Sequence, residues 1–189
     1  MISAILLAAG LSKRMNGENK LTKKIEDKPL IMHSVKNILA SSIDELIVVL
    51  GYQKEIIEKL IDKNEKIKFV FNKDFESGMA SSIKAGLNNL PVKTEAFFIC
   101  LGDMPLVNQE VYNQLIRSRN NKEIIVPIYK GQQGNPVLFS KSIKEKIMTI
   151  QGDVGAKRIL ELNEDKVLNV KINDSCITKD FNTMDNFNF

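Results

Sequence analysis

Ile2-Ser3-Ala4-Ile5-Leu6-Leu7-Ala8-Ala9-Gly10-Leu11-Ser12-Lys13-Arg14-Met15 is the stretch that decides the fold. A continuous apolar run of strand length passes into a loop of small residues and then into cations. An apolar run without alternation marks a strand covered on both faces. Working outward, the same pattern returns. Strands are expected over 45–50, 68–71, 96–101, 123–129 and 167–172, with 136–139 pairing back after a Gly-bearing turn at 131–135. Between them, apolar residues recur at helical spacing over 29–40, 53–61, 80–90 and 109–117, and two short helices are expected over 141–148 and 154–162. Strands interleaved with amphipathic helices predict an α/β protein. The expected architecture is three layers, α/β/α, around a mainly parallel, Rossmann-like mixed sheet. In such sheets ligands bind beyond the carboxyl ends of the strands, and the unusual residues of this chain cluster there.

The 189 residues suit one domain, 1–189, whose folding can bury about 70% of the unfolded chain's surface. Apolar residues make up 43% and charged residues 26%, an ordinary globular composition that excludes disorder as a class. The longest apolar runs, 4–9 and 96–101, fall far short of the ~20 residues of a membrane span. Lys plus Arg is 27 against 23 acids, and the arginines are limited to Arg14, Arg117, Arg119 and Arg158. A net charge of +4 without aromatics among basic residues argues against a nucleic-acid partner. Cys100 and Cys176 stand apart with no metal-ligand spacing, and no leader precedes the first strand. A cytoplasmic location is therefore the expectation.

The loop after the first strand carries the first chemistry. Leu7, Ala8, Ala9 and Gly10 let a ligand approach the backbone closely, Ser12 adds a hydroxyl, and Arg14 and Lys20 can clamp phosphate oxygens. Neither GxxxxGK[ST] nor GxGxxG is present. The bland alternative is a strand–helix connector with exposed cations. This stretch, LAAG-x-S-x-R-M, with Lys20-Leu21 and Lys28-Pro29-Leu30 after it, resembles the signature of nucleotidyltransferases that activate small phosphorylated metabolites. The chain resembles the MobA-like NTP transferase family, and is most similar to its molybdenum cofactor cytidylyltransferase branch. The likeness extends through Gly78-Met79-Ala80-Ser81-Ser82-Ile83-Lys84-Ala85-Gly86, Leu101-Gly102-Asp103-Met104-Pro105-Leu106-Val107, Gly134-Asn135-Pro136-Val137, Gly152-Asp153-Val154-Gly155-Ala156-Lys157 and Asp180-Phe181-Asn182-Thr183.

The resemblance implies a sheet of the nucleotide-diphospho-sugar transferase type. It implies a nucleotide-binding half at about 1–107 and an acceptor-binding half at about 108–189. Asp103, at the end of a buried strand, is the implied ligand of Mg²⁺, which needs only one or two carboxylates beside substrate phosphates and water. The alternative for Asp103 is a helix cap. Asn182 is the implied second ligand, at a position where the family has a carboxylate; Asp180 lies nearby, and Met184 replaces the family's Pro. Gly78, Ser81 and Ser82 are implied to contact the nucleotide, although both serines could instead cap the following helix. Asn135, Gly152 and Asp153 are implied for the acceptor site, with a cap on the 154–162 helix as the alternative for Asp153. Lys157 stands where relatives have Arg, and Arg158 beside it could take that role. His33 and Cys100 read as packing residues.

The implied reaction is transfer of CMP from CTP to the phosphate of molybdenum-molybdopterin, giving the cytosine dinucleotide cofactor and pyrophosphate. The attacking phosphomonoester is largely dianionic at pH 7, since its second pKa is about 6. No general base is needed, and the chain offers one histidine. Arg14, Lys20 and Asp103 are the expected catalytic residues. Ala9 adds a methyl where the guanylyl branch carries Gly, which favours CTP over GTP. A molybdenum hydroxylase is the implied recipient of the product. Two alternatives stand beside this reading. One is guanylyl or other nucleotidyl transfer to a different phosphorylated acceptor, such as a sugar phosphate or methylerythritol phosphate. The other is a non-catalytic protein that delivers the cofactor.

Overall fold

The computed structural model describes residues 1–12, 18–153, 155 and 157–182, with the backbone alone for Lys157. One eight-stranded sheet organises them. Its strands are β1 (Ile2–Ala8), β4 (Glu45–Leu50), β5 (Ile67–Phe71), β6 (Ala96–Leu101), β7 (Ile124–Tyr129), β8 (Gln132–Gln133), β9 (Val137–Ser140) and β10 (Val167–Lys171). A separate antiparallel pair, β2 (Lys24–Ile25) and β3 (Lys28–Pro29), lies outside it. The order across the sheet is β5-β4-β1-β6-β9-β7-β10, and β8 hangs on β7. All pairings from β5 to β6 are parallel, as is β7 with β10. β9 runs antiparallel to both β6 and β7, which makes the sheet mixed.

The period of two along each strand explains why these strands show no alternation. Ala4, Leu6, Leu46, Val48 and Phe98 point to one face, where they pack with α1 (Leu30–Leu39), α2 (Lys54–Leu60) and α4 (Gln109–Arg117). Ile5, Ile47, Val49, Phe97 and Ile99 point to the other face. There they meet α3 (Met79–Asn88), α5 (Lys144–Ile147) and α6 (Lys157–Glu161). Both faces are buried, so both sets must be apolar. At about 1.5–3 kcal/mol per fully buried large side chain, these two layers are the main source of stability. Among the described residues no helix is long and apolar enough to cross a membrane.

The departures from the expected elements are local. α3 begins at Met79 and ends at Asn88, which places Ser81 and Ser82 inside its first turn instead of ahead of it. The 141–148 helix is a 3₁₀ turn, Lys141–Ile143, running into the single turn of α5. Among the described residues, α6 covers Lys157–Glu161 of the expected 154–162 helix. The β2–β3 hairpin was not anticipated. Its turn uses Glu26 and Asp27, both with positive φ (47° and 65°), and lacks the Asn-Gly pair that would announce such a turn.

Candidate active site

β1 and β6 lie side by side with Leu7 opposite Leu101, so the loops after both strands emerge together. Gly102 N–H donates to Leu7 O at 3.1 Å. A Cβ on Gly102 would sit 2.9 Å from that same oxygen, so only glycine allows this approach. The buried Ser34 hydroxyl of α1 donates to Gly102 O at 3.1 Å. This turn carries Asp103 to the mouth of the crevice. Asp103 is no helix cap, because α4 is capped by Asn108, whose side chain accepts from Glu110 N and Val111 N.

Three further segments converge on Asp103. Lys20 follows Asn19, which caps a 3₁₀ turn over Lys20–Thr22 and is 2% exposed. Lys20 N–H donates to the Ser12 hydroxyl at 3.1 Å, which ties the first loop to that turn. Phe181 N–H donates to Asp103 O at 2.9 Å, which brings the last described segment over the site. The Lys20 ammonium then donates to Asp103 Oδ2 at 2.5 Å and to Asn182 Oδ1 at 2.6 Å. The Asn182 amide nitrogen donates to Asp180 Oδ2 at 2.5 Å. One carboxylate oxygen and one amide oxygen therefore face a single cationic atom.

That arrangement tests the fit of a divalent ion. The Lys20 ammonium stands in for a cation between Asp103 and Asn182, and both donors are hard oxygens of the kind Mg²⁺ and Mn²⁺ prefer. Among the described residues no group of three or more His, Cys, Asp or Glu could hold a metal. The residues fit an ion that completes its shell with phosphate oxygens and water, and they do not form an all-protein cage.

A cavity of about 360 Å³ opens beside this cluster. Of the residues expected to bind nucleotide, Leu7, Ala9, Gly10, Ser12, Lys20, Gly78 and Ser82 line it, and Asp103 closes its end. Asp153, expected for the acceptor, lines this cavity too. Ala8 does not line it; its side chain lies in the core between sheet and helices. The Ser81 hydroxyl is absent from the lining as well. It donates back to Asp74 O and Gly78 O, at 2.9 and 2.8 Å. Arg14, Met184, Val154 and Ala156 lie outside the described residues, and the Lys157 side chain is likewise not described.

Gly152 and Asp153 act on α3. Ala80 N–H donates to Gly152 O at 3.1 Å, and Met79 N–H donates to Asp153 Oδ1 at 3.3 Å. Asp153 thus satisfies the start of α3. A Cβ on Gly78 would meet Gly152 O at 2.6 Å, which explains glycine there, at φ +109°. Asn135 lies elsewhere, in a second cavity of about 450 Å³ with Gln132, Gln133, Gly134 and Val137. Met79 and Leu101 line both cavities, so the two are neighbours. Arg158 lines neither; it borders a separate surface groove with Thr149 and Leu162.

Some participants escaped the sequence reading. Asn72, 5% exposed, donates to the hydroxyls of Ser81 and Ser82 at 2.8 and 3.0 Å and so fixes the floor of the first cavity. Its position one residue past β5 was the available signal. Gly51 was also missed. A Cβ there would lie 2.7 Å from Ala9 Cβ and from Ala9 O, so the glycine lets the first loop pack down. His33 hydrogen-bonds Ile25 O at 2.9 Å and steadies the β2–β3 hairpin, a structural role as expected. Burial pushes the Cys100 thiol up to about 12 and the Cys176 thiol up to about 11, so neither is a nucleophile.

The fold and site define a nucleotidyltransferase, and comparison with known proteins agrees. The chain belongs to the MobA-like NTP transferase family, whose domain matches residues 4–167. It is 28% identical over 186 residues to the molybdenum cofactor cytidylyltransferase of Escherichia coli, covering 98% of this chain and 93% of that protein. It is 32% identical over 153 residues to a probable molybdenum cofactor guanylyltransferase of Methanosarcina acetivorans, covering 79% of this chain and 67% of that one. Rv0371c from Mycobacterium tuberculosis superposes with a TM-score of 0.88 at 22% identity, over 98% of this chain and 95% of its own. The sheet is of the nucleotide-diphospho-sugar transferase fold.

Proposed function

We propose that this protein transfers CMP from CTP to the phosphate of molybdenum-molybdopterin, releasing pyrophosphate. One observation carries the reading: Asp103 and Asn182 present oxygens to a single cationic atom at the end of a cavity lined by the first loop and by α3. The nucleotide occupies that cavity, with its base toward Ser82 and Gly78 and its phosphates toward Gly10, Ser12 and Lys20. A divalent ion bound by Asp103 and Asn182, Mg²⁺ in the cell, supplies charge neutralisation on the phosphate oxygens. Lys20, and Arg14 from the first loop, clamp the triphosphate and offset charge as pyrophosphate departs. The acceptor occupies the neighbouring cavity with Asn135, and the nucleotide is held mainly by residues 1–107, with Asp153 and Asn182 reaching in from residues 108–189. Holding both substrates in line contributes about 7–11 kcal/mol of barrier reduction. No proton need be removed from the attacking phosphate, and no general base is assigned.

CTP is favoured because Ala9, which borders the cavity, stands where the guanylyl branch carries Gly. The similarity of 28% to the cytidylyltransferase over nearly the full chain points the same way. A guanylyltransferase is the second reading, favoured by the 32% identity to the Methanosarcina relative. A molybdenum hydroxylase is the proposed recipient, and the cytoplasm the proposed location. Melting temperature with Mg²⁺ and each of CTP, GTP, ATP and UTP tests the choice. Ligand at 100 times its Kd stabilises by about 2.7 kcal/mol, which raises Tm by several degrees. A rise selective for CTP is expected; a rise selective for GTP would replace cytidylyl by guanylyl transfer.

A further inference from the structure

We propose that Asp180 is a positioning residue for the metal: it turns the Asn182 amide so that its oxygen faces the same point as Asp103. The inference rests on the reading that Asp103 and Asn182 hold the cation. An amide has one acceptor end and one donor end, and only the oxygen end can ligate a cation. A carboxylate at this position would need no such orientation, because its two oxygens are equivalent. Asn182 therefore requires a neighbour that decides which end points inward.

The hydrogen bonds identify that neighbour. Lys20 Nζ can only donate, and it reaches Asn182 Oδ1 at 2.6 Å. The ionised carboxylate of Asp180 can only accept, and the Asn182 nitrogen reaches its Oδ2 at 2.5 Å. Turning the amide over would set its NH₂ against the ammonium and its oxygen against the carboxylate. Both contacts would be repulsive, so the network admits one orientation. When a metal takes the place of the Lys20 ammonium, Asp180 still holds the amide nitrogen. It also returns, one bond away, a negative charge that Asn182 does not bring. Groups behind a metal ligand commonly control affinity in this way.

Mn²⁺ titration of the full chain without nucleotide, reading free Mn²⁺ by electron paramagnetic resonance, tests the proposal. Asp180 is exposed, and Asp180→Ala is expected to keep the wild-type melting temperature. It is expected to weaken Mn²⁺ binding about ten-fold or more, the range typical for groups behind metal ligands. In Asn182→Asp/Asp180→Ala the ligand is a carboxylate again and needs no orientation, so affinity returns to the wild-type level. A merely structural role for Asp180 would not be rescued this way. Asp103→Asn abolishes binding if the metal site itself is right. Wild-type affinity in Asp180→Ala, beside loss in Asp103→Asn, overturns this inference alone. A double variant as weak as Asp180→Ala does the same. Undiminished binding in Asp103→Asn overturns both the site and the inference.

Discussion

Gly102 shows how little separates a working site from a blocked one. A methyl there would press on Leu7 O at 2.9 Å and on Ile31 and Leu21 at 3.2 and 3.3 Å. Gly102→Ala is expected to cost about 1–3 kcal/mol through overpacking, read as a lower Tm, and to lower turnover by displacing Asp103. Lys20 has a different sensitivity. Lys20→Gln removes the cation proposed to act on the triphosphate, so kcat should fall about 10²–10³-fold, while the far-ultraviolet circular dichroism spectrum stays unchanged. An unaltered kcat would show that the Lys20 cation does not act on the triphosphate. At this scale Asp103 was legible from its place after a buried strand, and Lys20 from its place after the glycine loop. The orientation of Asn182 was not, because it depends on hydrogen bonds to residues both near and far in the chain.

Among the elements, α3 borders both cavities through Met79. Its first N–H groups are taken by Asp153 and Gly152 from a loop more than 70 residues away. Asp153→Ala should therefore lose about 0.5–2 kcal/mol, as for loss of a capping residue, measured as a lower denaturation midpoint in urea. Close packing also fixes α3 on the sheet: a Cβ on Gly86 would lie 2.3 Å from Ile5 Cγ2. β6 and the 3₁₀ turn Ser175–Thr178 carry the two buried thiols. Burial raises both above the ordinary thiol value of 9.0 and raises Tyr112 well above its ordinary 10.0. Raised acid constants favour folding below the unfolded values, and that contribution is lost as pH rises above about 9. Guanidinium midpoints should thus fall between pH 8 and pH 11, and less steeply in Cys100→Ala; a flat profile would contradict the burial account. Helix and strand order was legible because period two and period 3.6 differ plainly. The partner of Asp153 was not, because a hydrogen bond across that distance leaves no local pattern.

Over the whole molecule, the parallel run β5-β4-β1-β6 places the four loops that follow these strands at one end of the sheet. The antiparallel β9 starts at the second cavity, which Val137 lines, and runs back between β6 and β7. The mixed sheet was readable from the Gly-bearing turn at 131–135 and the apolar stretch that pairs back after it. Insertion of β9 between β6 and β7 was not, since it rests on long-range pairing. Two neighbouring cavities sharing Met79 and Leu101 suit two substrates that must meet end to end. The central claim is nucleotidyl transfer at that junction. Pyrophosphate release, followed with Mg²⁺, each of the four nucleoside triphosphates and molybdenum-molybdopterin, tests it most directly. The account predicts release with CTP only when the acceptor is present, and none in Asp103→Asn. Binding of nucleotide and acceptor without release of pyrophosphate from any triphosphate would contradict it.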